Sequence, residues 1–185
     1  MIQLAKINIS QRVAVFVDVQ NMYYSSKNLY NMKVNFEEIL KTAVRGRQLV
    51  RAFAYVVKAD MKHEDSFFDK LDVIGYEVRT KELQVFYGGA KKGDWDVGIA
   101  MDTIKLAPKV DVIVLVSGDG DFTDLCEHLQ AMGCRVEVMA FGRSASSKLI
   151  NQADMFTDMD KNPRKYLYTT IKKQKRGRME NETAE

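Results

Sequence analysis

Cysteine, proline, histidine and tryptophan are all scarce in this chain: two, two, two and one among 185 residues. Cys126 and Cys134 fit no zinc-ligand spacing, and nothing requires an oxidising compartment. They are expected on a helix and on the strand after it, as small core residues. His63 and His128 stand isolated, and no Ser–His or Cys–His arrangement suggests a side-chain nucleophile. No run of about 20 apolar residues exists, and the opening MIQLAKINISQR lacks the uninterrupted apolar stretch of a signal peptide. No membrane association is expected, and the cytoplasm is the expected compartment. Internal repeats are also lacking.

What remains is the composition of an ordinary globular domain, 46% hydrophobic and 29% charged, at a length that suits one core. The net charge of +3 is small, but its distribution is uneven. Eight basic side chains and no acid fall between Lys161 and Arg178, directly after Asp160. Residues 1–160 therefore read as the domain and 161–185 as a basic tail, either a solvated end or a contact for a polyanion.

The apolar run VAVFVD, Val13–Asp18, reads as a buried strand ending in a carboxylate. Asn21–Asn31 is polar and aromatic, a loop entering a helix. Asn35–Val44 is helical, with Asn35 as N-cap and Gly46 just past its end. Gln48–Val57 alternates and is a second strand; His63–Ile74 has helical spacing, with Gly75 as a stop. Short strands follow at Tyr76–Thr80 and Leu83–Tyr87. Trp95–Leu106 is a helix, Asp111–Ser117 the most apolar strand, Phe122–Met132 a helix, Arg135–Phe141 a further strand and Ser146–Ile150 a short helix. This alternation predicts a three-layer α/β/α sandwich around a mainly parallel sheet. Ligands of such sheets bind beyond the carboxyl ends of the strands, where strand order reverses. Asp18 ends the first strand and Asp119 follows the Asp111–Ser117 strand, so the two meet if those strands are neighbours.

Three segments concentrate carboxylates at strand ends and helix starts: FVDVQN from Phe16, KKGDWDVGIAMD from Lys91 and SGDGDF from Ser117. Clustered carboxylates raise one another's pKa unless a cation is present, and a hard divalent ion such as Mg²⁺ or Mn²⁺ relieves that cost. Such ions activate water and stabilise a leaving oxygen at phosphorus. Asp18, Asp96 and Asp119 are the principal candidates, while Asp121 suits an N-cap as well as a ligand. Asp96 and Asp102 are six residues apart, roughly 120° around a helix, so both cannot face one site. Asp102 is expected to orient a ligand or Lys92 from behind.

These three segments resemble the signature blocks of the NYN domain, in its LabA-like branch within the PIN-like nuclease superfamily. The resemblance runs from about Val13 to Asp158. Asp18 and Asn21 match the first block, Lys92, Gly93, Asp96 and Asp102 the second, and Ser117, Gly118, Asp119, Asp121 and Phe122 the third. It implies a PIN-like, Rossmann-like topology and Mg²⁺- or Mn²⁺-dependent ribonuclease activity. Asp18, Asp96, Asp119 and Asp121 would be metal ligands and catalytic residues, supported by Asn21, Asp102, Asp94 and Ser117. The second block has one residue more than the family pattern, which leaves either Asp94 or Asp96 as the ligand.

Lys91, Lys92 and Arg143 are candidates for phosphate contact, and Tyr23 and Tyr24 for stacking on an unpaired base. Single-stranded RNA is the favoured partner and endonucleolytic cleavage the expected action. DNA stays open because hydrolysis by water does not need a 2′-hydroxyl, and a homo-oligomer is also left open. The competing functions are a non-catalytic RNA- or protein-binding module and a phosphatase. Gln20 stands where the Asp-x-Asp nucleophile of haloacid-dehalogenase-type phosphatases has its second acid, which disfavours the latter.

Overall fold

The computed structural model describes residues 7–58, 64–85 and 91–168. Six strands form the central sheet: β1 (Arg12–Asp18), β2 (Gln48–Lys58), β3 (Glu77–Glu82), β4 (Val112–Val116), β5 (Arg135–Ala140) and β6 (Met155–Asp158). Their order in space is 3-2-1-4-5-6, and every neighbouring pair is parallel. This is the doubly wound order, in which the progression of strands across the sheet reverses between β1 and β4. The ends of β1 and β4 are therefore adjacent, as the positions of Asp18 and Asp119 required.

Period-2 alternation divides the sheet between two cores. Val13, Val15 and Val17 face one side and pack with Met22, Ile39 and Tyr76; Ala14 and Phe16 face the other with Ile99, Leu125 and Leu149. Helices α1 (Val19–Tyr30), α2 (Phe36–Val44) and α3 (Glu64–Ile74) cover the first face. Helices α4 (Asp96–Leu106), α5 (Thr123–Ala131) and α6 (Ser147–Gln152) cover the second. The expected three-layer sandwich is present. All five residues of β4 are buried, which is why VIVLV is continuously apolar instead of alternating. Each fully buried valine or leucine there contributes roughly 1.5–3 kcal/mol, so a charge placed at Val114 would break the sheet at its centre.

The local signals mostly hold. Asn35 caps α2 by accepting from the Glu38 amide at 3.3 Å, and the chain leaves that helix through Arg45 and Gly46, both at positive φ. Two expectations are corrected. The segment read as a loop before a helix is helical from Val19, because Asp18, the last strand residue, is itself the N-cap. A sixth strand, Met155–Asp158, follows α6; at four half-buried residues it is too short to show a period. Within the described residues, the chain after Lys161 also packs back onto the domain. Leu167 and Tyr168 pair antiparallel with Val34 and Lys33, and Tyr166 and Leu167 are buried. His63, the end of the Leu83–Tyr87 segment and residues 169–185 of the basic tail lie outside the described residues. No helix among the described residues is long and apolar enough to cross a membrane.

Candidate active site

The crevice at the ends of β1 and β4 is held together by the carboxylates and hydroxyls of the first and third acidic segments. Asp18 is 9% exposed; one of its carboxylate oxygens accepts from the Asn21 amide at 3.0 Å and the other from the Ser117 hydroxyl at 3.4 Å. The Asn21 side-chain oxygen accepts from the Gly118 amide at 3.0 Å, which fastens α1 to the turn after β4. Within that turn the Asp119 amide donates to Ser117 Oγ at 3.2 Å, and the Asp121 amide to Asp119 Oδ1 at 3.0 Å. A Cβ on Gly118 would lie 3.0 Å from the Ala145 backbone, so the turn needs a glycine to pack this closely.

The second segment forms the opposite wall. Trp95 donates its indole N–H to the Val56 carbonyl at 3.0 Å and lies against Gly98, where a Cβ would come within 2.5 Å of the ring. Lys81 on β3 donates to the Asp94 carbonyl at 3.1 Å, its ammonium 5.2 Å from the Trp95 ring centre. Anchored to β2 and β3 in this way, the start of α4 directs Asp96 into the crevice. Asp96, Asp119 and Asp121 each offer a carboxylate oxygen within 4.8 Å of the others, and Asp18 stands beside this trio, deeper in the crevice.

Burial pushes the Asp18 carboxyl up to about 6, against the pull of the Asn21 amide and with the added repulsion of Asp96 and Asp119. Asp96 is also raised, first by burial and then by Asp119, Asp94 and Asp121, with Lys81 opposing. None of these aspartates forms an ion pair among the described residues. An all-oxygen, anionic donor set without a built-in cation fits a hard divalent metal such as Mg²⁺ or Mn²⁺. The cleft has a volume of about 390 Å³ and is also lined by Gln20, Tyr24, Asn28 and Trp95. A larger groove of about 540 Å³ between α2 and α3 is lined by Leu40, Val44, Val73 and Ile74 and has no comparable convergence of acids.

The sequence profile of the NYN domain matches residues 12–160. The chain belongs to the NYN domain family. It is 29% identical over 164 residues to the low amplitude and bright protein LabA of Synechococcus elongatus, covering 80% of this chain and 84% of that protein. A crystal structure of a protein of unknown function from Vibrio parahaemolyticus superposes with a TM-score of 0.80 at 35% identity, covering 88% of this chain and 99% of the other. The LabA-like resemblance read from the three blocks therefore extends over most of the domain.

Against the NYN pattern, the structure gathers Asp96 with Asp119 and Asp121; the Asp94 carboxylate lies in the cleft wall but outside that trio. Asp102 accepts from the Tyr55 hydroxyl at 3.0 Å, since a largely buried phenol needs an acceptor. Arg143 lies next to the cleft, through its neighbour Ser144, but is engaged with Asp160 and stacked 4.8 Å over Tyr30. The side chains of Lys91 and Lys92 lie outside the described residues. Of the tyrosine pair, Tyr24 faces the cleft, whereas Tyr23 packs edge-on against it and under Lys27. Gln20, Asn28, Trp95 and Lys81 were not singled out in the sequence as part of the site. A helix beginning at Val19 would have revealed Gln20, Tyr24 and Asn28 as one i, i+4, i+8 stripe.

Proposed function

We propose that this NYN domain is a ribonuclease that hydrolyses phosphodiester bonds of single-stranded RNA, cutting internally, with Mg²⁺ or Mn²⁺ as cofactor. The observation that carries the reading is the convergence of Asp96, Asp119 and Asp121 within 4.8 Å, beside a buried Asp18, at the switch point of the sheet. Asp96, Asp119 and Asp121 are the residues to hold the ion, with Asp18 completing the site from below. A divalent cation bound there supplies water activation and neutralises charge on the phosphate and leaving oxygen.

The remaining residues position this machinery. Ser117 Oγ bridges Asp18 and the Asp119 amide, and Asn21 holds the turn that carries Asp119 and Asp121. Trp95 forms the wall beside Asp96. RNA as substrate is drawn from the family resemblance, so single-stranded DNA is the comparison to run. The basic segment 161–185 is proposed to add sequence-independent affinity for phosphates, and Lys91 and Lys92 to contact them near the ion.

The test is cleavage of a fluorescent single-stranded RNA with Mn²⁺ or Mg²⁺ and with chelator. Cleavage is expected to need the metal and to fall by roughly 10²-fold or more in Asp119→Asn, the scale seen when one charge-stabilising group is removed. RNA binding without cleavage in either metal would sink the enzyme reading and leave a binding module.

A further inference from the structure

We infer that α1 is the base-reading wall of the cleft: Tyr24 stacks on one unpaired nucleobase, and the Gln20 and Asn28 amides read its hydrogen-bonding edge. This rests on the phosphodiester reading of the same cleft and assigns the part of the substrate that the carboxylates do not touch. Gln20, Tyr24 and Asn28 recur every four residues on α1, and all three line the cleft that contains Asp18, Asp96 and Asp119. Their stripe runs about 12 Å along the helix, from Gln20 beside the Asp18 cap to Asn28. A phosphate at the carboxylates therefore leaves room for its nucleoside beside Tyr24.

Each side chain is in a state suited to that task. Tyr24 is 52% exposed, a large aromatic held on a helix next to an acidic crevice instead of in the core. Its ring is supported edge-on by Tyr23 at 5.4 Å, which leaves a face for stacking. The Gln20 and Asn28 amides make no hydrogen bond among the described residues, whereas Asn21, between Gln20 and Tyr24, spends its side-chain oxygen on the turn after β4. An amide offers a donor and an acceptor side by side, the arrangement that pairs with a base edge. The neighbouring Ser25 hydroxyl accepts from Ser144 Oγ at 3.0 Å, which ties α1 to the loop after β5. A cleft of about 390 Å³ is of small-ligand size, enough for one nucleotide. Bases unstacked from a single strand are what aromatic platforms of this kind bind.

The experiment measures fluorescence anisotropy of labelled short single strands of RNA and DNA, and of the matching duplex, in Mn²⁺ buffer, with the same samples run on a gel to score cleavage. Tyr24→Ala is expected to weaken single-strand binding by about tenfold and Tyr24→Phe to retain it, because the ring and not the hydroxyl stacks. The double substitution Gln20→Ala, Asn28→Ala is expected to alter the order of preference among homopolymers of the four bases. The inference is overturned if Tyr24→Ala binds single strands as the parent does, if the preference order is unchanged, if the duplex binds equally well, or if the parent binds no single strand. Tyr24-dependent binding without cleavage would sink the nuclease reading alone; cleavage indifferent to Tyr24 would sink this inference alone.

Discussion

Buried carboxylates occur in two regions of this sheet, and only one of them is given its own cation. Glu137 on β5 is 3% exposed and is gripped by both arms of the Arg47 guanidinium at 3.0 and 2.9 Å, with Arg135 adding a third bond at 3.0 Å. Burial pulls its carboxyl up, but the hydrogen bonds and charge of Arg47 prevail, and it is held below the usual range. At the ends of β1 and β4, Asp18, Asp96, Asp119 and Asp121 converge with no such partner, and Asp18 and Asp96 are raised. The fold can supply an arginine fork where a carboxylate is structural. At the switch point it supplies none among the described residues, and a divalent cation is what the proposed function puts there.

Removing the built-in cation should have the largest effect. Arg47→Met leaves Glu137 buried and uncompensated apart from Arg135, and is expected to destabilise the protein by about 3–5 kcal/mol in urea unfolding. Loss of less than about 1 kcal/mol would mean that Arg135 or water suffices, and the contrast between the regions would blur.

Removing an anion from the other region should act in the opposite direction. The folded Asp18 carboxyl sits at about 6 against an ordinary 3.8, so the folded state binds its proton more tightly than the unfolded chain does. Without divalent metal, stability is therefore expected to rise as pH falls from 7 through 6 toward 4, and to be lowest when Asp18 is charged. Asp18→Asn keeps an oxygen for the Asn21 amide and should stabilise the metal-free protein by up to about 3 kcal/mol at pH 7, while flattening that part of the profile. A destabilised Asp18→Asn with an unchanged pH profile would show that Asp18 is a structural cap alone.

Divalent metal should substitute for the missing arginine. Mn²⁺ at about 100 times its Kd is expected to stabilise the protein by about 2.7 kcal/mol at pH 7.5, read as a rise in Tm, and to do so much less at pH 5, where Asp18 is protonated. The smallest effect belongs to a carboxylate in neither class. Glu77 pairs with Arg51 on the open edge of the sheet, and Glu77→Gln should change stability by less than about 1 kcal/mol, falling further in high salt.

This contrast was half legible in the sequence. Asp18 at the end of VAVFVD and Asp119 after DVIVLVS are local facts, and alternating elements imply a parallel sheet, so their meeting was expected on the condition that the two strands were neighbours, which they are. The six-residue separation of Asp96 and Asp102 likewise fixed that only one could face the crevice, but not that Asp102 would serve Tyr55, a partner 47 residues away. Arg47 looked like any basic residue after a helix, because its burial depends on Glu137, 90 residues further on. The helical start at Val19 was obscured because its cap, Asp18, also ends a strand. With that start hidden, the stripe from Gln20 to Asn28 was hidden too. Lys81 and Trp95 were silent for a similar reason: their roles come from packing between β3 and the approach to α4, not from any pattern within either segment.

The most direct test of the account is a crystal soaked in Mn²⁺ and read by anomalous scattering. The account predicts an ion at the carboxyl ends of β1 and β4, coordinated by oxygens of Asp96, Asp119 and Asp121 with Asp18 alongside. An empty crevice at saturating Mn²⁺, or these side chains turned away from one another, would contradict it.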